Sequence, residues 1–334
     1  MSYLDMKAEL SEAIPGLSRI YAGTLINRAW RVVQDSNLWS FQLGQGGFST
    51  PNITTAGSVT VTGLGQNTLV GDAVASAAWL ALPLYWQTTL QQIRITGYSI
   101  YSIVAMDATD PTAVILTLDR NFVDPLPFLA GNEYQMFQAY IAAPPRFKRW
   151  LNVADMFNCW AMDIWTSRRD VNQWDPARLY TSNPDSLLPL GTDMRAGSST
   201  FGQMLYELYP NPSTQISYQT YYVADAPVLV NNSDTLPYPI TQDVVLTKAR
   251  VYAYEWAESR KDVMAAKGSG ANYSALKKEG EAEFLSRLKT LRLIDKDQVD
   301  SYNLSMNSYM GGCRMPYFNS QIGRANMGGI GAWR

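Results

Sequence analysis

The residue types that usually carry catalysis are scarce in this chain, and histidine is absent from its 334 residues. Without histidine the chain lacks the commonest general base, the usual partner of serine and cysteine nucleophiles, and a frequent ligand of catalytic zinc. The absence of histidine does not exclude catalysis by lysine or carboxylate side chains. However, the aspartate pairs Asp107/Asp110 and Asp119/Asp124 fall in predicted turns, where aspartate side chains bind nearby backbone groups. The sequence therefore predicts a protein that is not an enzyme.

Signals for a cofactor or a metal ion are also weak. Two glycine-rich stretches, 44–47 and 63–65, resemble phosphate loops only in their glycines, because neither precedes a Lys-Ser or Lys-Thr pair or a helix start. We interpret them as turns of a β domain. Cys159 and Cys313 are too far apart in sequence to suggest a metal-binding spacing or a disulfide framework. We predict no cofactor and no metal.

The composition favours a protein that binds other proteins. Charged residues make up 17% of the chain and the formal net charge is -2, whereas the chain contains 20 tyrosines and 10 tryptophans. Protein interfaces favour aromatic residues and disfavour lysine and glutamate. A plain aromatic-rich globular protein is the alternative. We expect no membrane span, since no run of about 18 apolar residues occurs, and no secretory signal.

The most regular part of the sequence is 237–294, which predicts a helical hairpin. Apolar residues recur there at helical spacing. Thr241 is a suitable N-cap for the first helix, and glycines near residue 268 separate it from a second helix that ends by residue 294. Two further helices are predicted over 3–13 and 15–34, and Pro15 is placed in the first turn of the second. Together these segments predict an antiparallel helical bundle.

The middle of the chain carries strand signals. Residues 44–143 are rich in Gly, Thr, Val and Ile, with stretches that alternate at period two, and they predict a small antiparallel sandwich or barrel. Within 144–236 we predict a second short β region that includes strands over 203–209 and 214–223. Two prolines at 210–212 predict a hairpin turn between these two strands.

The composition changes again near the C-terminus. Residues 301–334 contain three arginines, six glycines and no acidic residue, and their apolar residues follow neither a helical nor a strand period. Such a segment cannot bury enough apolar surface to fold by itself. Its methionines and aromatic residues nevertheless favour binding in a groove on a partner. A tail without any binding role is the alternative.

These observations predict an α+β fold: an antiparallel helical bundle that carries an inserted small antiparallel β domain, a second short β region and an extended C-terminal tail. The predicted parts are the N-terminal helices of the bundle (1–43), the inserted β sandwich or barrel (44–143), a mixed connecting region with short strands (144–236), the C-terminal helical hairpin (237–296) and the extended docking tail (297–334).

This order of parts resembles the adaptor proteins of tailed bacteriophages, which are also called head-to-tail connector or head completion proteins. The stretches that carry the resemblance are Val-Gln-Asp-Ser-Asn-Leu-Trp-Ser-Phe-Gln at 33–42, Gly-Ser-Val-Thr-Val-Thr at 57–62, Ala-Pro-Pro-Arg-Phe-Lys-Arg-Trp-Leu at 143–151, and the first helix of the hairpin at 240–257. The resemblance covers nearly the whole chain as an architecture, and no single motif defines it.

The resemblance implies a structural virion protein in the neck between head and tail, made in the cytoplasm of the bacterial host. Adaptors form a homo-oligomeric ring, a dodecamer, beneath the portal protein, and a downstream tail or nozzle protein binds below. Double-stranded DNA passes through the lumen without specific binding. The C-terminal tail docks on the portal. The candidate portal-docking residues are Arg314, Tyr317, Phe318, Arg324 and Trp333.

Two other functions remain open at this point. The chain could be a collar, fibre or baseplate-type structural protein whose helices form a trimeric base. It could also be a carbohydrate-binding module whose Trp and Tyr side chains stack on sugars. A ring supports the adaptor and a stable trimer supports the second function. A sugar-cleaving version would need paired carboxylates in a cleft, and the sequence offers no convincing pair.

Overall fold

The computed structural model describes residues 2–309 without residues 64, 84–90, 96–98, 125–129, 159, 165, 196–197, 199 and 261–271, and over 301–309 it describes the backbone alone. These residues contain six α-helices and fifteen β-strands. The helices are α1 (Tyr3–Ala13), α2 (Arg19–Asp35), α3 (Ala73–Leu80), α4 (Arg168–Trp174), α5 (Gln242–Glu258) and α6 (Tyr273–Tyr309). The strands are β1 (Leu43–Thr50), β2 (Val59–Val61), β3 (Thr68–Gly71), β4 (Gln92–Ile95), β5 (Ile100–Asp107), β6 (Ile115–Leu118), β7 (Tyr134–Phe137), β8 (Tyr140–Ala142), β9 (Phe147–Asp155), β10 (Trp160–Ala161), β11 (Thr181–Ser182), β12 (Ser186–Thr192), β13 (Met204–Tyr209), β14 (Asn211–Pro212) and β15 (Ile216–Ala224).

The predicted fold class, a helical bundle with a small β insert and an extended tail, is wrong. The chain is 34% helix and 29% strand, and it is sheet-rich. The described residues form two compact units, a helical unit of 2–44 with 224–309 and a β unit of 45–223. The β unit holds strands of four separate sheets. It is therefore the larger of the two units rather than a small insert.

The first two helices of the helical unit begin at capping side chains. Ser2 Oγ accepts a hydrogen bond from the backbone N–H of Asp5, and Asp5 Oδ2 accepts one from the backbone N–H of Ser2 at 2.8 Å, which is a reciprocal capping box. Ser18 caps α2, so this helix begins at Arg19. The prediction that Pro15 lies in its first turn is wrong, because Pro15 belongs to the turn that precedes the cap.

The core of the helical unit draws residues from both ends of the chain. α2 and α6 each pack against α5, and α1 packs against α2. The indole N–H groups of Trp30 and Trp39 donate to the carbonyl oxygens of Pro227 (3.1 Å) and Val33 (2.7 Å), so the polar atom of each buried ring is satisfied. None of the described helices combines the length and the apolar character that crossing a bilayer requires.

The last helix is longer than the hairpin prediction allows, since α6 continues beyond Ile294. Its buried face extends through Asp295 and Val299 at helical spacing. Asp295 is fully buried and accepts hydrogen bonds from the backbone N–H of Ser40 (2.9 Å) and from the Ser40 hydroxyl. These contacts belong to the buried face of α6. The helix continues to Tyr309, so the first part of the predicted extended tail, 297–334, is helical.

The six-stranded antiparallel sheet of the β unit has the strand order β2-β3-β6-β5-β4-β7. Two β-bridges, Val59 with Asn132 and Thr54 with Met136, connect the β2 side to the β7 side. The sheet therefore curves round until its two edges approach each other, as in a barrel. Its interior is filled by large side chains that include fully buried Trp79 on α3.

The remaining strands of the β unit form three more sheets, with orders β1-β15-β9-β10, β12-β13-β8 and β11-β14. The predicted hairpin turn at 210–212 is wrong, because β13 and β15 lie in different sheets. Residues Asn211 and Pro212 instead form β14, which runs parallel to β11 with Asn211 beside Thr181. Pairing with this distant segment carries the chain away from β13 before β15 begins.

Candidate functional site

The five predicted portal-docking residues lie outside the described part of the chain. They are Arg314, Tyr317, Phe318, Arg324 and Trp333. The described element that precedes them in sequence is α6. The position of α6 in the helical unit therefore determines where the C-terminal segment begins.

Asp107 and Asp110, which a carboxylate mechanism could have used, bind their own turns. Asp107 Oδ1 accepts hydrogen bonds from the hydroxyl and the backbone N–H of Thr109, the latter at 2.9 Å. Asp110 Oδ1 accepts the equivalent pair from Thr112. These hydrogen bonds, the hydroxyl first, lower the pKa of each aspartate. Both side chains are therefore stabilised as exposed carboxylates, which are poor proton donors at neutral pH.

Asp119 and Asp124 likewise bind neighbouring groups of the six-stranded sheet. Asp119 Oδ1 accepts from the backbone N–H of Ser102 at 3.0 Å, and Asp124 Oδ2 accepts from the Tyr101 hydroxyl at 2.7 Å. Burial and then this hydrogen bond raise the pKa of Tyr101. Across the described residues, no group of three or more His, Cys, Asp or Glu side chains could hold a metal ion.

The two glycine-rich stretches serve backbone geometry. Residues 44–47 lie in β1 rather than in the predicted turn. A Cβ atom on Gly47 would lie 2.8 Å from the carbonyl oxygen of Tyr218, so the close approach of β1 to β15 requires glycine there. Gly65 adopts a positive φ of 77°, a left-handed conformation that glycine permits.

A buried ionic network in the β unit was missed by the sequence analysis. Glu207 on β13 is 2% exposed. Its two carboxylate oxygens accept hydrogen bonds from Arg178 Nε at 2.5 Å and from Arg168 Nε at 3.0 Å. Arg178 has a φ of 54°, in the left-handed region, and its side chain is also buried. Each buried charge therefore has a partner, which offsets the free energy of its desolvation.

A second carboxylate, Asp175, holds the same loop. It accepts hydrogen bonds from the backbone N–H groups of Leu179 (2.9 Å) and Tyr180 (3.2 Å) and from the Tyr209 hydroxyl (3.1 Å). Burial and then this hydrogen bond raise the pKa of Tyr209. Both Glu207 and Asp175 thus bind donors within the fold, and the network serves to position the loop that follows α4.

The end of α4 and the loop that follows it present large aromatic and aliphatic side chains to solvent. Trp174, Leu179 and Tyr180 are each more than half exposed. The ring of Trp174 packs edge-on against Tyr209, with ring centroids 5.2 Å apart. On the inner side of the loop, Arg94 Nη2 donates to the carbonyl oxygen of Ala177 at 2.9 Å. A loop that is held by buried hydrogen bonds and carries exposed aromatic residues is suited to contact with another protein.

Ion pairs hold α6 against α5. Lys248 Nζ donates to both carboxylate oxygens of Glu281, at 2.8 and 2.7 Å, and lies 5.1 Å from the centre of the Phe284 ring. Lys277 Nζ lies 2.7 Å from Glu255 Oε1. Together with the bonds from Ser40 to Asp295, these contacts hold the inner face of α6 between Lys277 and Asp295.

The outer side of α6 faces solvent and carries exposed aliphatic residues. Leu285 and Leu293 are 57% and 64% exposed, and Ile294 is 48% exposed. A helix with one fixed face and one exposed, partly apolar face is suited to binding a further helix or subunit. Of the described surfaces, we therefore consider the outer side of α6 the main candidate site.

Comparison with known proteins does not assign the chain to a family. No protein-family model matches the sequence, and no curated protein matches it significantly.

Proposed function

We propose that this chain is a structural virion protein, an adaptor whose ring joins the portal of a phage capsid to the tail and forms part of the DNA conduit. The proposal rests on the position of α6 and on the sequence that follows it. Its inner face is bound to α5 and to Ser40, its outer face is exposed, and it leads in sequence directly to the acid-free residues 310–334.

In this proposal the C-terminal segment binds the portal protein. Arginine and aromatic side chains contribute most to the binding energy of protein interfaces. The segment contains three arginines and no acidic residue. The side chains that fill the portal groove are Arg314, Tyr317, Phe318, Arg324 and Trp333.

The ring is a dodecamer that surrounds passing double-stranded DNA. A conduit should not retain DNA, and non-specific affinity for DNA arises mainly from lysine and arginine contacts to phosphates. The formal net charge of -2 agrees with weak, non-specific contact. A downstream tail or nozzle protein binds the ring on the side away from the portal, and the assembly lies in the virion neck.

The size of the β unit favours a second candidate function, that of a collar, fibre or baseplate-type structural protein. With four sheets between residues 45 and 223, the β unit is larger than a small domain attached to the outside of a ring. The exposed side chains of Trp174, Leu179 and Tyr180 offer this unit its own contact surface.

Oligomeric state distinguishes the two functions. We expect native mass spectrometry of the purified protein, alone and mixed with purified portal, to show a closed ring of about twelve copies, because cyclic assemblies close through repeated contacts. A stable trimer that does not bind portal would contradict the adaptor function and support the second candidate.

A further inference from the structure

Most exposed charges of α6 lie on two sides of the helix that differ in sign, and the first side is basic. Lys278, Lys289 and Lys296 are all exposed. With about 3.6 residues per turn, their spacing places them along one side of the helix, next to exposed Leu285. None of the three lysines forms an ion pair with another described residue. We call these three lysines the basic flank.

The opposite set is acidic. Glu279, Glu283 and Asp297 are exposed and lie along a second side of α6, roughly 100° from the basic flank around the helix axis. Glu283 binds Arg287, one turn along the helix, at 2.6 Å. Neither of the other two forms an ion pair within the described chain. We call these three residues the acidic flank.

The two flanks match each other in height along the helix. Residues in an α-helix rise by about 1.5 Å each, so Lys278 lies level with Glu279, and Lys296 lies level with Asp297. A second α6 that runs parallel, in register, and turns its acidic flank to the basic flank of the first would place each lysine opposite a carboxylate. Half-buried Asp300 follows Lys296 by one turn but forms no ion pair with it.

Contact between identical flanks is disfavoured. Two copies that meet through their basic flanks, or through their acidic flanks, bring like charges together, which suppresses that pairing. Only contact between unlike flanks is complementary, and such contact uses different surfaces on the two copies. Repeated contacts of this kind generate closed rings when the rotation between copies closes.

We propose that α6 binds a second copy of this chain through these unlike flanks, with Lys278 opposite Glu279 and Lys296 opposite Asp297 of the neighbouring copy. The inference rests on the proposed ring function and assigns its subunit interface. Leu285 and Leu293 supply apolar area to the contact. Exposed ion pairs contribute little affinity of their own. The role of the charges is therefore to determine the direction and the register of the contact.

Charge reversal tests the interface with three variants. In the first, Lys278→Glu with Lys296→Glu makes both flanks acidic. In the second, Glu279→Lys with Asp297→Lys makes both flanks basic. The matched control, Arg149→Glu with Arg169→Glu, makes the same net charge change as the first variant at exposed positions of the β unit. Circular dichroism confirms that each variant is folded.

Each flank variant alone is expected to lose self-association by roughly 100-fold, as like charges then face each other. An equimolar mixture of the two is expected to assemble again into an alternating ring, because each contact then joins an acidic to a basic flank. The control assembles like the wild type. Association is measured by sedimentation velocity at low salt, and by the number of copies bound per portal particle.

Two results would overturn the interface. Either flank variant could assemble as well as the wild type, or the folded variants could remain unassembled when mixed. Failure of the proposed function is distinguishable, because wild-type protein would then form no ring even in the presence of portal.

Discussion

A chain truncated after Tyr309 is expected to fold normally and to bind portal particles at least about 100-fold more weakly than the full-length chain. The described contacts of α6 with the rest of the helical unit include Asp295 and Val299, which the truncation leaves in place. The proposed portal-docking side chains all lie beyond the cut, and loss of several interface hot spots reduces affinity by this amount or more. Co-sedimentation with purified portal measures the binding.

A second truncation controls for loss of fold. Cutting before Asp295 removes the buried carboxylate that binds Ser40, and it removes buried Val299. This shorter chain should therefore be less stable in thermal unfolding, whereas the chain cut after Tyr309 should unfold at the wild-type temperature. Attachment of the longer truncation to portal at wild-type affinity would rule out the docking role of the C-terminal segment.

The substitution Glu207→Gln is expected to destabilise the β unit by about 3–5 kcal/mol, the usual effect of removing one partner from a buried ion pair. Glutamine keeps the size of the side chain but leaves Arg178 buried without an opposite charge. The free energy of unfolding, from urea titration of the intrinsic tryptophan fluorescence, measures the change.

Arg168→Ala provides the matched control on the other side of the same carboxylate. Its side chain is 42% exposed, so the loss of this ion pair should cost no more than about 1 kcal/mol. Equal stability of Glu207→Gln and the wild type would show that the network does not hold the loop between α4 and β11.

The local parts of the fold could be read from the sequence, because their signals lie within a few residues of each other. The helix over residues 3–13 begins and ends where its pattern predicts, with Ser2 and Asp5 as the cap. Thr241 immediately precedes α5 as predicted, although its side chain forms no capping hydrogen bond. The start of α2 was misplaced because a proline suited to a first turn precedes the actual cap.

The pairing of strands could not be read from the sequence. Strand β13 falls within the predicted strand 203–209, but a local strand pattern says nothing about the partner of a strand. The prolines near residue 211 suggested a local hairpin, whereas β14 pairs with a segment that lies some thirty residues earlier in the chain. The strands of the β unit form four sheets, and this sheet-rich unit overturned the predicted fold class.

Buried charges were the other source of error. Asp295 occupies a position in the buried stripe of α6 between Leu291 and Val299, and a charged residue there made the stripe seem to end. Glu207 similarly shares a strand face with buried Leu205 and Tyr209. A charged residue at a periodic core position was the available signal. It indicated an ion pair or hydrogen-bond partner distant in sequence.

Electron cryomicroscopy of the full-length protein mixed with purified portal tests the adaptor function most directly. We expect a single ring of about twelve copies, coaxial with the portal, with an open central channel and the C-terminal segments in contact with portal subunits. A trimer, attachment away from the portal axis, or portal particles without bound protein would contradict the adaptor function.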